Sequence, residues 1–249
     1  MQPRDLLWAG CLNVRDLGGL PKRDGGETRF GAIVRADSVR QLTSEGWNAL
    51  ARHGVRTVID LRDDRELLDD SPADARVAVV HAPFWKAMEW EEIEPELNAA
   101  SAAAADGASA KRDRYLIVLE RFRGNVAAAV RAVAEARDGA VVVHCVGGKD
   151  RTGLLVALLL DLAGVDAETI AVDYALSEER LEPRRDAWLA AAQTEEDVAR
   201  IHEVSSTPAE TMRGVLAALE RRHGSVETFL RSSGVSGDDL ERVRGRLRD

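Results

Sequence analysis

Four short runs rich in β-branched and apolar residues, 32–35, 56–61, 77–81 and Ala140–His144, alternate along the chain with stretches of helical periodicity. Such alternation predicts βαβ units around a mostly parallel sheet. Between the first two runs, Thr43 suits the N-cap of a helix through Arg52, and Gly54 suits its C-terminal stop. Ahead of them, residues 20–31 carry Asp24-Gly25-Gly26 between flanks that can pair, which predicts a small hairpin.

After the third run the pattern loosens. Residues 89–96 are strongly acidic, and 98–110 reads NAASAAAADGASA, which suits a mobile loop or a frayed helix, with a solvated linker the favoured reading. A long helix is predicted over 112–136, where Leu116, Leu119, Val126, Val130 and Val133 recur at helical spacing. The fourth run leads into a glycine-rich turn and a helix over 152–163 that is apolar on nearly every face and therefore belongs in the core. From Asp166 onward no strand is visible. Residues 167–176, 182–192, 195–204, 208–222 and 237–248 read as helices, with Ser236 and Asp239 as a capping box for the last. The expected architecture is α/β: a central, mostly parallel sheet flanked by helices, with a helical C-terminal extension or lid. One domain over 1–249 is expected, with a core at 12–165 and the helical part at 166–249.

Composition narrows the function. The chain has 249 residues, 45% hydrophobic and 31% charged, enough to bury a core without disulfides or a structural metal. Two cysteines, Cys11 and Cys145, make no disulfide framework, so a reducing compartment is expected. A net charge of −9 argues against a nucleic-acid partner. The longest wholly apolar run, 154–160, falls short of the ~20 residues a membrane-crossing helix needs. No secretory leader is visible at 1–10, so a cytoplasmic monomer is expected, with export by a route lacking such a leader left open. His53, His81, His202 and His223 show no ligand spacing, and neither a metal nor a cofactor is expected.

The chemistry concentrates in VVVHCVGGKDRTG, residues 141–153, with the phosphate loop at 144–153. A strand that ends in a tight turn opening a helix directs the backbone N–H groups of Val146, Gly147, Gly148, Lys149, Asp150 and Arg151 into a cup for an anion. Glycine allows the close approach. Among these dipoles and beside the Arg151 guanidinium, the Cys145 thiol is expected to ionise near neutral pH and act as nucleophile. Arg151 presents a planar fork that holds two phosphoryl oxygens. Thr152 is placed to donate a hydroxyl hydrogen bond to the thiolate. The implied reaction is phosphoryl transfer to sulfur followed by hydrolysis.

The HCxxGKDRTG loop resembles the phosphate-binding loop of cysteine-dependent tyrosine phosphatases. Together with Asn13-Val14-Arg15-Asp16-Leu17-Gly18-Gly19, Asp60-Leu61-Arg62 with Glu66, Asp173-Tyr174 with Ser177, and the tail HGSVETFLRSSGVSGDDLERVRGRL, the chain resembles the atypical bacterial tyrosine phosphatase family from about Leu12 to Leu247. The resemblance implies a metal-independent enzyme of tyrosine-phosphatase-like fold, with a phosphotyrosine protein or peptide, and in several members a phosphoinositide, as substrate and inorganic phosphate as product. It also places Asn13, Arg15, Asp16 and Arg35 as a network bracing the loop; turn chemistry around Gly18-Gly19 is the competing reading, favoured for Asn13.

A proton donor for the leaving group is worth roughly a hundred-fold or more. No Trp-Pro-Asp loop exists here, and Pro83-Phe84-Trp85-Lys86 lacks the acid. Asp150, inside the loop, leads; a carboxylate that only ties the loop down is its alternative. Asp63 or Asp64, at the end of the second strand, is the runner-up. Lys149 either recognises a phosphorylated ring, as the resemblance implies, or raises the local potential. His144 is expected to support the Cys145 backbone. Cys11 is read as packing, with reversible oxidation onto Cys145 as the other option. Trp85 or Trp90 suits the entrance. Two competing functions are a rhodanese-like sulfurtransferase, for which Arg151-Thr152-Gly153 is the wrong continuation, and a non-catalytic phosphate-binding module.

Overall fold

The computed structural model describes residues 3–68 and 74–248. Five strands form one sheet in the order β1-β2-β5-β3-β4. They are β1 (Arg15–Asp16), β2 (Ile33–Ala36), β3 (Val55–Asp60), β4 (Ala78–His81) and β5 (Ala140–His144). Only β1 runs antiparallel to its neighbour; β2, β5, β3 and β4 are parallel. Their C-terminal ends therefore share one edge, where open α/β sheets bind ligands.

Side chains alternate across the central strands, as a pleat with two covered faces requires. Ile33, Ile59, Val141 and Val143 enter one core, and Val34, Val58 and Val142 the other. The second face is closed by Trp8 and by α1 (Ser44–Arg52), which Thr43 caps by accepting from Gly46 N. The first is closed by α4 (Arg123–Ala134) and α5 (Asp150–Ala163). Twelve residues of α5 are buried, Arg151 and Thr152 among them, and Gly164 in the left-handed region ends the helix.

Two expectations need correction. Residues 98–110 are not a linker. Helix α2 (Ala87–Ala103) runs through 98–103, since alanine favours helix and Ile93 and Leu97 bury its inner face. Only 104–106 break the path before α3 (Gly107–Arg121), which Asp106 caps by accepting from Ser109 N at 2.7 Å. The long helix over 112–136 is two helices. Phe122, at φ −107° and ψ 30°, separates α3 from α4 and is itself buried, and Gly124 weakens the first turn beyond it.

At residues 20–31 a single antiparallel bridge, Pro21 to Glu27, stands where a hairpin was expected. The C-terminal part is helical: α6 (Ala167–Arg180), α7 (Glu182–Ala191), α8 (Glu195–Ser205), α9 (Ala209–His223), α10 (Val226–Ser232) and α11 (Gly237–Leu247). The helical pattern had left α10 out. Its signal is Ser225, which accepts from Thr228 N at 3.0 Å as an N-cap. At α11 Ser236 caps in the same way, but the Asp239 carboxylate accepts from the Ser236 hydroxyl rather than its backbone, so the capping box is half formed. Among the described residues no helix is long and apolar enough to cross a membrane.

Because α5 carries the loop at its N-terminus and the core along its length, Leu159→Ala is expected to cost about 2–5 kcal/mol by leaving a cavity at a fully buried position. A lowered urea midpoint with an unchanged slope is the expected readout.

Candidate active site

Cys145 follows β5 directly and is buried; after it the chain turns through 146–149 into α5. The turn is held from outside by its carbonyls. Val146 O accepts from Ser38 N at 3.0 Å. Gly147 O and Gly148 O accept from Asn13 Nδ2 at 3.0 and 3.1 Å, and Gly148 O also from Arg35 Nη2 at 2.8 Å. A trans peptide points its C=O and the following N–H in opposite directions. Carbonyls pinned outward thus turn the N–H groups of Gly147, Gly148 and Lys149 toward the cup beside Cys145. Gly148 has φ +63°, and a Cβ there would stand 2.3 Å from Ala36 O, so the position requires glycine. Gly147 is different: a Cβ would meet nothing nearer than 3.8 Å.

Two of the pinning groups, Arg35 and Asn13, rest on one buried carboxylate. Asp173 of α6 accepts from Arg35 Nη1 at 2.8 Å and Arg15 Nε at 3.0 Å, and Arg4 joins it. Arg15 also donates to Asn13 Oδ1, and both Arg15 and Arg35 reach Ser177 Oγ at 3.2 Å. Burial opposes ionisation of Asp173, but Arg15, Arg35 and Arg4 together hold its carboxyl far below the usual range. Burial, with Arg35 alongside, brings Arg15 down to about 9. Asn13, for which turn chemistry was favoured, is thus bonded to the loop. Asp16, expected in the same network, instead accepts from Gly18 N and Gly31 N at 2.8 Å and faces His53 Nε2 at 2.9 Å.

Arg151 lies on the first turn of α5, and Glu66 accepts from both of its terminal nitrogens, one of them at 2.8 Å. Its guanidinium lies over the Trp85 ring, 4.5 Å from the centroid. Burial works against this cation, but the bond to Glu66 and the negative charges of Cys145, Glu66 and Asp150 together outweigh it and keep the charge in place. Glu66 engages one end of the fork and leaves the Nε edge for oxygen ligands. Glu66 is in turn fixed by Asp63, whose backbone N–H donates to Glu66 Oε2 at 2.7 Å. The Asp63 carboxylate accepts from Arg65 N at 2.9 Å and Ala87 N at 2.7 Å. Burial would raise it, yet these backbone bonds hold it below the ordinary range. Asp63 is therefore occupied as a cap beneath Arg151. Asp64 is exposed and stands 3.5 Å from His81 Nδ1.

Asp150 opens α5 on the cavity side. Tyr115 of α3 donates to its Oδ1, and Lys149 Nζ is 3.5 Å from its Oδ2. Burial pushes this carboxyl up, but Lys149, Lys111 and the Tyr115 hydroxyl more than offset it and hold it ionised. Lys149 and Lys111 also donate to carbonyls at the C-terminal end of α8, Val204 O for the first and Ser206 O for the second. His144 Nδ1 donates to Cys145 O at 3.0 Å, while its Nε2 stands 3.5 Å from Asp60 Oδ2; burial keeps the ring neutral. The Thr152 hydroxyl is buried with no hydrogen-bond partner among the described residues, Cys145 included. Both cysteines are free thiols. Cys11 donates to Ser38 O at 3.4 Å, and burial followed by Asp37 pushes its thiol far above the normal range, which disfavours the thiolate that disulfide exchange needs.

These groups border a cavity of about 800 Å³. Cys145 and Arg151 line it together with Trp85, Trp90 and Tyr115, and with Arg184 and Trp188 of α7 and His202 of α8. Arg184 ties α7 to the sheet edge through Asp37 at 2.8 Å. Glu66, Tyr115, Lys111 and Arg184 were not singled out for this site from sequence. Glu66 alone left a local trace, the Asp-x-x-Glu capping pattern with Asp63.

Residues 6–249 match the model of the tyrosine phosphatase family. A tyrosine-protein phosphatase from Nostoc commune is 31% identical over 226 residues, covering 87% of this chain and 74% of that protein. A triple-specificity protein phosphatase, PtpB, from Mycobacterium tuberculosis is 28% identical over 274 residues, covering 95% of this chain and 99% of that protein.

The buried carboxylate makes a test of the bracing network. A depressed Asp173 stabilises the fold fully above the ordinary aspartate range and loses that contribution as pH falls below about 4. Wild type is therefore expected to lose stability through that window in urea titrations, and Asp173→Asn to show a flatter dependence. Asp173→Ala, which strands the arginines, is expected to cost about 3–5 kcal/mol at neutral pH.

Proposed function

This chain belongs to the tyrosine phosphatase family, and from that membership we propose that it hydrolyses phosphotyrosine through a phosphocysteine intermediate on Cys145. The observation that carries the reading is the set of outward-pinned carbonyls, which aim successive N–H groups at the space between Cys145 and the Glu66-held Arg151. A phosphoryl group in that space has donors for its equatorial oxygens and sulfur behind it. The family assignment sets the sulfurtransferase alternative aside. Phosphate affinity without turnover is the result that would restore the non-catalytic one.

In this mechanism the Cys145 thiolate attacks phosphorus, the bond from phosphorus to the phenolic oxygen breaks, and that oxygen takes a proton from Asp150. Water then attacks the thiophosphate, Asp150 takes a proton from it, the S–P bond breaks and inorganic phosphate leaves. In the free protein Asp150 is held ionised. An entering phosphate dianion engages the nearby cations and adds negative charge beside the carboxylate, which raises its pKa so that Asp150 takes up a proton from water as the substrate binds. Arg151 holds the equatorial oxygens throughout.

A broader substrate range, including a phosphoinositide headgroup, is a second reading. The cavity of about 800 Å³ exceeds a phenyl phosphate, and Lys111, Lys149, Arg184 and Arg185 line it. Loss of headgroup turnover alone in Lys149→Ala supports it, and equal loss on both substrates counts against it.

Turnover of an aryl phosphate in the presence of a chelator is expected. Cys145→Ser should abolish it, and Asp150→Asn should lower it roughly a hundred-fold for a poor leaving group and remove one limb of the pH–rate profile. Persistence of full activity in Cys145→Ser would overturn the proposed function.

A further inference from the structure

Asp150 is faced from every side by groups able to set its ionisation. Tyr115 and Lys111 come from one face of α3, four residues apart; Lys149 and Arg151 flank it in the chain; Tyr174 with Glu178 comes from α6, and Glu203 of α8 lies beyond Lys111. Two of these are hydroxyls in series. The Tyr115 hydroxyl bonds Asp150 Oδ1, and the Tyr174 hydroxyl lies 3.0 Å from that of Tyr115. The rings meet edge to face, with centroids 6.4 Å apart. Packing fixes the pair. Tyr115 and Tyr174 are buried, and Gly153 lets the Tyr174 ring lie so close to α5 that a Cβ there would stand 2.9 Å from it.

The direction of this chain follows from what each atom can do. An ionised carboxylate only accepts, so Tyr115 donates to it, and the Tyr115 oxygen then accepts from Tyr174. Burial, followed by the charge of Asp150, pushes both phenols upward, so neither loses its proton in the working range. A proton placed on Oδ1 would force both hydroxyls to reverse. One placed on Oδ2, which faces the loop beside Lys149, leaves the chain intact.

We infer that Tyr115 is a positioning residue for the proton donor: its hydroxyl, oriented by Tyr174, reserves Oδ1 of Asp150, so that the transferable proton is carried on Oδ2 toward the leaving group. The inference rests on the reading of Asp150 as the acid. Nothing is transferred to Tyr115. It holds the carboxylate plane and stabilises the ionised form, so that the proton is released readily once the phenolic oxygen begins to take charge.

The experiment is a set of pH–rate profiles for kcat/KM on two aryl phosphates, one with a poor and one with an activated leaving group. It compares wild type, Tyr115→Phe, Tyr174→Phe and Asp150→Asn. Loss of a hydroxyl donor to the ionised form raises the Asp150 pKa, so the limb that reports its deprotonation should move to higher pH by about one unit in Tyr115→Phe. Turnover of the poor leaving group should fall about ten-fold, with the activated one little changed. Tyr174→Phe should move the limb in the same direction by less, and it carries the test if Tyr115→Phe fails to fold. An unmoved limb in both variants, or equal losses on the two substrates, overturns the inference while Asp150 stands as the acid. Retention of the limb in Asp150→Asn removes the acid assignment and the inference with it.

Discussion

The outward pinning of three consecutive carbonyls, those of Val146, Gly147 and Gly148, is the constraint on which the site depends. Left to itself, a loop of this length exchanges its carbonyls and N–H groups between inward and outward orientations. Here each carbonyl meets a donor delivered by another part of the chain: Ser38 after β2, Asn13 before β1, and Arg35 on β2. Arg35 directly, and Asn13 through Arg15, are fixed in turn by Asp173 on α6, more than a hundred residues later in the sequence. The anion cup is thus made by the strand-turn-helix and held from behind by a charge cluster whose Asp173, Arg15 and Arg35 are buried. The cluster gains from this arrangement as well, since its carboxylate answers several guanidinium groups that would otherwise be buried without an acceptor.

Arg151 is governed by a second, independent anchor. Glu66 and Asp63 form a reciprocal capping box in the short turn after β3, and the carboxylate that caps backbone also grips the guanidinium. Trp85 covers one face of the guanidinium. Parallel pairing of β3 with β5 makes this possible, because it brings the ends of both strands to one edge. Two local turn motifs, separated by most of the core in sequence, therefore converge on a single phosphoryl-sized space.

What was legible in the sequence follows the range of the interactions. Four of the five strands and most helices were read nearly to their ends, because periodicity, caps and glycine stops are local; the two-residue β1 was not read, since it has no pattern of its own. The break at Phe122 and the continuation of α2 through its alanines were not, since each depends on which side chains the core accepts. In the site, Cys145 and Arg151 stood out by their spacing within a strand, glycine-rich turn and apolar helix. Asp63 attracted attention as a carboxylate at a strand end and Asp16 through the resemblance, and their oxygens accept from backbone N–H groups. Tyr115 and Lys111 were invisible because α3 reaches the loop only through tertiary packing. Asn13 was undervalued for the same reason: its partners lie 134 and 135 residues away.

The two helices that roof the cavity are fastened unlike the rest of the molecule. No residue of α7 is buried, and only Ile201 is buried in α8. The segment is instead tied down by charge, through Arg184 to Asp37 and through Lys149 and Lys111 to the last carbonyls of α8. Detaching it would expose little apolar surface, so the heat-capacity change of that motion is small and its equilibrium varies weakly with temperature. Ionic strength acts on it more strongly, because added salt screens charge pairs near the surface while leaving hydrophobic burial intact. The roof and the core beneath it therefore answer to different variables: the core to temperature and denaturant, the roof to the composition of the surrounding electrolyte.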